Sequence, residues 1–343
     1  MEKWIKPHLR ELKPYASARS LGDIPAAIWL DANENRYGNA LQKETWSRYP
    51  SYTPVLREQY AQYVGVRPEQ LLLTHGSDEA IDLIFKLFCD TNDVACGFSP
   101  TYGMYAVTSH LYGCEWLTLS LTTDFNIPAH LHWPPQAKVL FICRPNNPTG
   151  NSFSLAQIRR MLDTFPGLVV VDEAYQEFSD QPSATTLLAA YPQLMVLRTL
   201  SKAFGLAGLR LGALIAAPEA ILWFRKIQAP YPLSVPSLEA GEMALRHKEW
   251  MLQQVEKIKA ERKLVSDQLN TLPGVLRVFP SETNFVLFQI KNPSEFVAFA
   301  RNKGLLVRDR SQETNSEGCV RVTIGKPEDN RFFLQTITEF LQL

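Results

Sequence analysis

With 343 residues, the chain exceeds the roughly 250–300 at which one hydrophobic core stops growing, so two lobes are expected. Hydrophobic residues make up 45% and charged residues 20%, which excludes disorder on a large scale. Thirty-five Lys and Arg balance 35 Asp and Glu, leaving no global field to hold a nucleic acid or an anionic membrane; any bound anion must be gripped locally.

Residues 1–46 break every apolar stretch with charge and carry Pro7 and Pro14, so no signal-peptide pattern is present. They read as an irregular arm with at most short helices, packing with the smaller lobe. From about Ser47 to Ala216, apolar runs alternate with helical patterns, the rhythm of βαβ units around a mostly parallel sheet. Ser77–Cys89 reads as a helix capped by Ser77, with apolar residues at 81, 84, 85 and 88. The runs Ala137–Cys143, Leu168–Asp172, Leu194–Leu200 and Arg210–Ala216 are apolar almost throughout, as strands covered on both faces should be. Trp250–Leu272 predicts a long amphipathic helix bridging the lobes and stopping at Pro273-Gly274. Strands over Asn284–Ile290, Leu305–Arg308 and Val320–Ile324 follow, with helices near 293–303 and 327–342. The expectation is an α/β large domain over 47–249, its sheet sandwiched by helices, and a smaller α+β domain over 250–343.

Cys89, Cys96, Cys114, Cys143 and Cys319 are odd in number and form no C-x-x-C pair, which argues against a zinc cage or a disulfide framework. A cytoplasmic location and no metal are expected, and no apolar run reaches the length of a membrane helix. There is no G-x-G-x-x-G after a strand, no P-loop and no G-x-S-x-G elbow. His130 and His132 sit among Pro128, Pro134 and Pro135 without a third ligand nearby, the pattern of a solvated turn.

Three segments carry chemistry. Thr199–Arg210 places Lys202 directly after an apolar strand, where a partly desolvated lysine among cations loses its proton readily and becomes an amine nucleophile able to form a Schiff base. Ser201 and Arg210 beside it suit a phosphate. Val169–Tyr175 puts Asp172 at the carboxyl end of a strand, where open α/β sheets bind ligands. An acid there suits a protonated heteroaromatic nitrogen; taken alone, it would serve equally as a loop acid. Arg144–Gly150 also follows a strand and by itself is only a polar proline turn.

Together, N-N-P-T-G at 146–150, D-E-A-Y at 172–175 and S-K-x-x-x-x-x-G-x-R at 201–210 resemble the fold-type I pyridoxal-phosphate aminotransferases in order and spacing. Asp31–Asn35, Arg48–Pro50, Thr101–Tyr105, Ala229–Ser234, Ser281–Asn284 and Gly318–Gly325 narrow the resemblance to the histidinol-phosphate aminotransferase family, over nearly the whole chain. That resemblance implies pyridoxal 5′-phosphate as cofactor and a homodimer. It implies that Lys202 carries the cofactor and moves the proton, that Asp172 holds the ring nitrogen, that Tyr175 and Asn147 hold the 3′ oxygen, and that Tyr102 stacks on the ring. Gly76, Ser77, Asp78, Thr199, Ser201 and Arg210 would cup the phosphate, joined by Tyr49 of the partner subunit. Tyr15, Asn33, Arg308 and Arg321 would bind substrate, with Arg310 a rival to Arg308. The implied reaction exchanges an amino group between L-histidinol phosphate and 2-oxoglutarate, giving imidazole acetol phosphate and L-glutamate. Rivals on the same scaffold are an aromatic aminotransferase and a lyase similar to threonine-phosphate decarboxylase; no residues remain for a fused helix-turn-helix regulator. Two positions depart from the family pattern, Arg144 and Arg36, and both are expected at the mouth of the site.

Overall fold

The computed structural model describes residues 1–13, 28, 30–50 and 55–342. Seven strands, β1 (Leu71–His75), β2 (Val94–Ser99), β3 (Glu115–Ser120), β4 (Ala137–Cys143), β5 (Leu168–Asp172), β6 (Leu194–Thr199) and β7 (Leu211–Ile215), form one sheet in the order β1-β7-β6-β5-β4-β2-β3. The block from β6 to β3 pairs in parallel, and β7 runs antiparallel to both its neighbours. The composition of β5 explains its central place. Leu168 and Val170 face one core, and Val169 and Val171 face the other, so a run without polar alternation fills both faces of the sheet.

Helices α1 (Val55–Val64), α2 (Gly76–Phe88), α3 (Met104–Leu111), α4 (Leu155–Thr164), α5 (Pro218–Ile227) and α6 (Val235–Arg246) cover those faces. On one side α2 buries Ile81, Ile84, Phe85 and Phe88, as the spacing predicts, together with residues of α3 and α5. On the other, α1, α4 and α6 contribute Leu56, Ile158 and Leu238 to the second core. The start of α2 differs from expectation: Gly76 is its first residue and Ser77 does not cap it. The Glu79 carboxylate instead accepts the His75 N–H at 2.5 Å.

Helix α7 (Lys248–Thr271) leads to a second, antiparallel sheet of β8 (Val275–Val278), β9 (Phe285–Ile290), β10 (Arg308–Asp309) and β11 (Cys319–Thr323), ordered β10-β11-β9-β8. Helices α8 (Pro293–Asn302) and α9 (Pro327–Gln342) complete this part. Met251 and Val255 of α7 pack into the core of the larger sheet, and Val265 and Leu269 pack with the smaller one. One helix therefore belongs to both cores. The strand expected at Leu305–Arg308 is reduced to Arg308–Asp309, because Gly304 turns the chain at φ +83° and leaves Leu306 exposed. Strands β1, β2, β3 and β8 go beyond the sequence expectation. In β2 the reason is Gly97: the Trp116 ring occupies the space a Cβ would need, 2.5 Å away, so the position demands the residue least typical of a strand. Among the described residues, no helix is long and apolar enough to cross a membrane.

Arg144 lies in the core, fully buried, and not at the mouth of a site. Cys143 is registered against Asp172, so the next residues, Arg144 and Glu173, become neighbours one step past the strand ends. Arg144 Nη1 meets Glu173 at 3.0 Å, Nε donates to the Phe153 carbonyl at 2.6 Å, and Nη2 donates to the Pro182 carbonyl at 3.0 Å. Arg198 reaches Glu173 at 3.4 Å and Glu177 at 2.6 Å. Two buried cations thus answer two buried anions at the ends of β4, β5 and β6. Burial works against the charge on Arg198, yet Glu177 and Glu173 outweigh it and raise its pKa. Breaking such a group from one side typically costs about 3–5 kcal/mol. Arg144→Met should therefore lower the unfolding free energy measured in urea by an amount of that order, whereas Lys263→Met, at an exposed helical pair with Asp267, should barely change it. Equal shifts in the two variants would contradict a structural role for the buried group.

Candidate active site

The parallel strands deliver their carboxyl ends to one edge of the sheet, and the residues just past those ends carry most of the candidate chemistry. After β1 comes Gly76, with φ +72°. A Cβ on it would lie 2.5 Å from Nη2 of Arg210, and a Cβ on Gly212 would lie 2.7 Å from the Ser77 nitrogen. Two glycines thus let the start of β7 and the start of α2 close on each other, with the Arg210 guanidinium over the helix N-terminus. Arg210 is itself in the left-handed region at φ 52°. It donates to Asp78 at 2.8 Å, and the Tyr102 hydroxyl donates to the other Asp78 oxygen at 3.0 Å. The side of the cup toward β6 is Thr199 and Ser201: the Ser201 N–H donates to the Thr199 hydroxyl at 3.1 Å, and that hydroxyl donates to the Leu211 carbonyl at 3.0 Å. Backbone N–H groups at a helix start, hydroxyls and a guanidinium make an anion site, with Asp78 holding the arginine in place.

At the end of β5, Asp172 is only 2% exposed. Burial pushes its carboxyl up to about 6, against the pull of hydrogen bonds from the Tyr105 hydroxyl at 2.7 Å and the Ala174 N–H at 3.1 Å. Past β6, Lys202 remains accessible, as an amine that meets ligands must, and its Nζ stands 5.5 Å from the Tyr175 ring centroid. Desolvation and then Arg321 lower its pKa, with Asp172 and Asp78 opposing and Arg210 assisting. A lysine in this setting keeps more free amine near neutral pH than one in water. Arg321, from β11, donates to the Asn147 side-chain oxygen and stacks its guanidinium 5.1 Å from the Phe285 ring centroid. Arg308 is its cross-strand neighbour, exposed and without an ion pair among the described residues. Arg310 is committed to Glu313 at 2.6 Å, which weakens it as a rival anion ligand.

Lys202, Asp172, Tyr175, Tyr102, Asn147, Gly76, Ser77, Asp78, Thr199, Ser201, Arg210 and Arg321 therefore share one region. Tyr49 does not join them: half exposed, it stacks on Tyr231 with centroids 4.3 Å apart, and its N–H donates to Glu34 at 2.8 Å. Asn33 is exposed in a left-handed turn at φ 55°. Tyr15 lies outside the described residues. The sequence reading gave Tyr105 no role of its own; it lies in the first turn of α3, three residues after Tyr102, whose ring it meets edge to face.

Comparison with known families matches residues 16–337 to aminotransferase class I and II. The chain belongs to that family and is an aminotransferase of the fold-type I class. It is 40% identical over 356 residues to the histidinol-phosphate aminotransferase of Pectobacterium carotovorum subsp. carotovorum (strain PC1), covering 100% of this chain and 97% of that one. Among solved structures, the fold is similar to L-threonine-O-3-phosphate decarboxylase from Porphyromonas gingivalis, with TM-score 0.76, 23% identity and coverage of 87% and 92% of the two chains. It is also similar to histidinol-phosphate aminotransferase from Sinorhizobium meliloti in complex with pyridoxal-5′-phosphate, with TM-score 0.73, 20% identity and coverage of 84% and 81%.

Membership implies dependence on pyridoxal phosphate, and the residues present fit it. The glycine-lined cup suits a phosphate, and the buried Asp172 carboxylate lacks the cation that a protonated ring nitrogen would supply. A test of the cup compares two glycines of equal φ. Gly65, also at +72°, has nothing within 4 Å of where a Cβ would stand, so Gly65→Ala meets backbone strain alone, about 1–2 kcal/mol. Gly76→Ala meets the same strain and must also push Arg210 off Asp78. Both should lower thermal stability, but only Gly76→Ala should weaken equilibrium binding of pyridoxal phosphate, by about tenfold for one charge-assisted contact. Unchanged cofactor affinity in Gly76→Ala would remove Arg210 from the cup.

Proposed function

We propose that the enzyme exchanges an amino group between L-histidinol phosphate and 2-oxoglutarate, as a cytoplasmic homodimer organised as an arm over 1–46, a large domain over 47–249 and a small domain over 250–343. The observation that carries this reading is the arginine pair on the smaller sheet: Arg308 and Arg321 are registered across β10 and β11, and Arg321 stands beside Asn147 and Lys202. One cation for a phosphate and one for a carboxylate suit two substrates that present those groups in turn. Full-length likeness to a protein of that name supports the same choice.

Bound pyridoxal phosphate supplies a carbonyl carbon that takes the amino group and a ring that accepts the electron pair left when the substrate Cα loses its proton. Lys202 would anchor the cofactor and, once its amine is free, would take the proton from the substrate Cα and deliver it to the cofactor's former carbonyl carbon. Its lowered pKa suits a base that works near neutral pH. Asp172 keeps the ring nitrogen protonated. Asn147 and Tyr175 bind the 3′ oxygen, and Tyr102 covers the ring. Gly76, Ser77, Asp78, Thr199, Ser201 and Arg210 hold the phosphate, helped by the partner subunit's Tyr49. Arg321 binds the carboxylate of the amino or keto acid, and Arg308, with Tyr15 and Asn33, receives the substrate's phosphate end.

A charge-assisted contact of this kind is worth about ten- to a hundredfold in kcat/KM. Arg308→Ala should lower kcat/KM for L-histidinol phosphate by that factor and leave the slow reaction with unphosphorylated L-histidinol nearly unchanged. Equal losses on both substrates would show that Arg308 does not read the phosphate. For the dimer, mixed subunits of Lys202→Ala and Tyr49→Ala, each strongly impaired alone, should regain activity, since half the sites of a mixed dimer then carry neither defect. Verified mixed dimers that stay inactive would return Tyr49 to its own chain.

A further inference from the structure

Tyr105 is completely buried and has no part in the reading above. Its hydroxyl donates to Oδ2 of Asp172 at 2.7 Å, while the Ala174 N–H donates to Oδ1 at 3.1 Å. Its ring cannot wander. It stacks on Phe141 with centroids 4.8 Å apart and meets Tyr102 edge to face at 5.5 Å. We infer that Tyr105 is a positioning residue: it holds the Asp172 carboxylate aimed and ionised, and through its ring it fixes Tyr102 relative to that acid. The inference rests on the proposal that Asp172 faces the ring nitrogen of pyridoxal phosphate.

The groups facing Asp172 come from several elements: Asp78 from α2, Tyr105 from α3, Tyr102 just before it, Cys143 from β4, Tyr175 past β5 and Lys202 past β6. Among the described residues, Tyr105 is the one side chain that hydrogen-bonds the carboxylate. Burial and Asp78 favour the neutral acid; Tyr105, the Ala174 N–H and Lys202 favour the anion. Deleting the Tyr105 hydroxyl removes a donor that the anion uses and the neutral acid needs less, so the Asp172 pKa rises from about 6 toward neutral pH. A neutral Asp172 cannot keep a proton on the ring nitrogen. The proton crosses between the partners: one N–H bond breaks, one O–H bond forms, and the total charge of the pair is unchanged. Tyr105 does not itself titrate in this range, because burial, followed by Asp172, raises its phenol well above the ordinary value.

The geometry also links the two ends of the site. Tyr105 holds Asp172, its ring edge meets Tyr102, Tyr102 donates to Asp78, and Asp78 holds Arg210. The acid for the ring and the guanidinium for the phosphate are thus joined through one aromatic pair.

The test uses four holoenzymes loaded with pyridoxal phosphate labelled with 15N in the ring: wild type, Tyr105→Phe, Tyr102→Phe and Asp172→Asn. The ring-nitrogen shift at pH 8 reports where the proton sits, and steady-state assays report kcat and KM. Wild type and Tyr102→Phe should show the pyridinium shift, and Asp172→Asn should show the neutral-pyridine shift. Tyr105→Phe should move toward the neutral value, with kcat down about tenfold and KM within twofold, because no substrate group is touched. If Asp172→Asn keeps its ring nitrogen protonated, the proposed role of Asp172 fails and this inference with it. If Asp172→Asn loses the proton while Tyr105→Phe matches wild type in shift and kcat, the role of Asp172 stands and the inference about Tyr105 is overturned.

Discussion

A carboxylate at the end of an apolar strand, with 2% of its surface exposed, survives as an anion only where something answers its charge, and Asp172 sets that condition for the site. Its neighbour Glu173 meets the same problem in a different way. Glu173 has a permanent answer in Arg144 and Arg198, with the Ser183 hydroxyl and the Ala184 N–H also donating to it. Asp172 has two neutral donors and no cation in contact, and its carboxyl is pushed up to about 6. Adjacent residues at the end of β5 thus separate an acid with permanent cationic partners from one without them. The distinction follows from side: consecutive residues at a strand end point to opposite faces of the sheet.

The rest of the molecule is arranged around that acid. The parallel strands bring β1, β4, β5 and β6 to a common edge, and the buried ion group locks the ends of the last three. The smaller sheet brings the arginines to the same place. Arg321 bonds Asn147, the Glu282 N–H donates to the Gly150 carbonyl at 2.7 Å, and the Ser99 hydroxyl donates to Thr314 at 3.0 Å. The first two contacts tie the N-N-P-T-G turn to β11 and to the segment before β9, and the third ties the end of β2 to the turn between β10 and β11, so the arginines and the lysine are set on one framework. Helix α7, which packs in both cores, is the covalent part of the same connection.

Much of this is legible in the sequence because its signals are local. The centre of the sheet can be read from Leu168–Asp172 and Ala137–Cys143, where apolar residues have no polar alternation, and both strands occupy those bounds. The cluster around Lys202 is readable because motif spacing places residues just past strand ends. Arg144 is misplaced by the sequence because the resemblance treats it as a change at the mouth of the site, whereas its direction depends on the register of β4 against β5. Tyr105 and Gly212 escape sequence reasoning for a related reason: their importance comes from what approaches them in space, Asp172 in one case and the start of α2 in the other. Strand β2 is hidden by Gly97, a residue selected by the Trp116 ring and not by strand preference.

The central claim, an amino-group exchange specific to a phosphorylated substrate lacking a carboxylate, is tested most directly by a single-turnover measurement on the purified holoenzyme. L-Histidinol phosphate, L-phenylalanine and L-threonine phosphate are mixed separately with the enzyme, and conversion of bound pyridoxal phosphate to the pyridoxamine form is followed together with carbon dioxide release. The account predicts rapid, complete conversion with L-histidinol phosphate, slow conversion with L-phenylalanine, and no carbon dioxide from L-threonine phosphate. Faster conversion with L-phenylalanine, or carbon dioxide released from L-threonine phosphate, would contradict it.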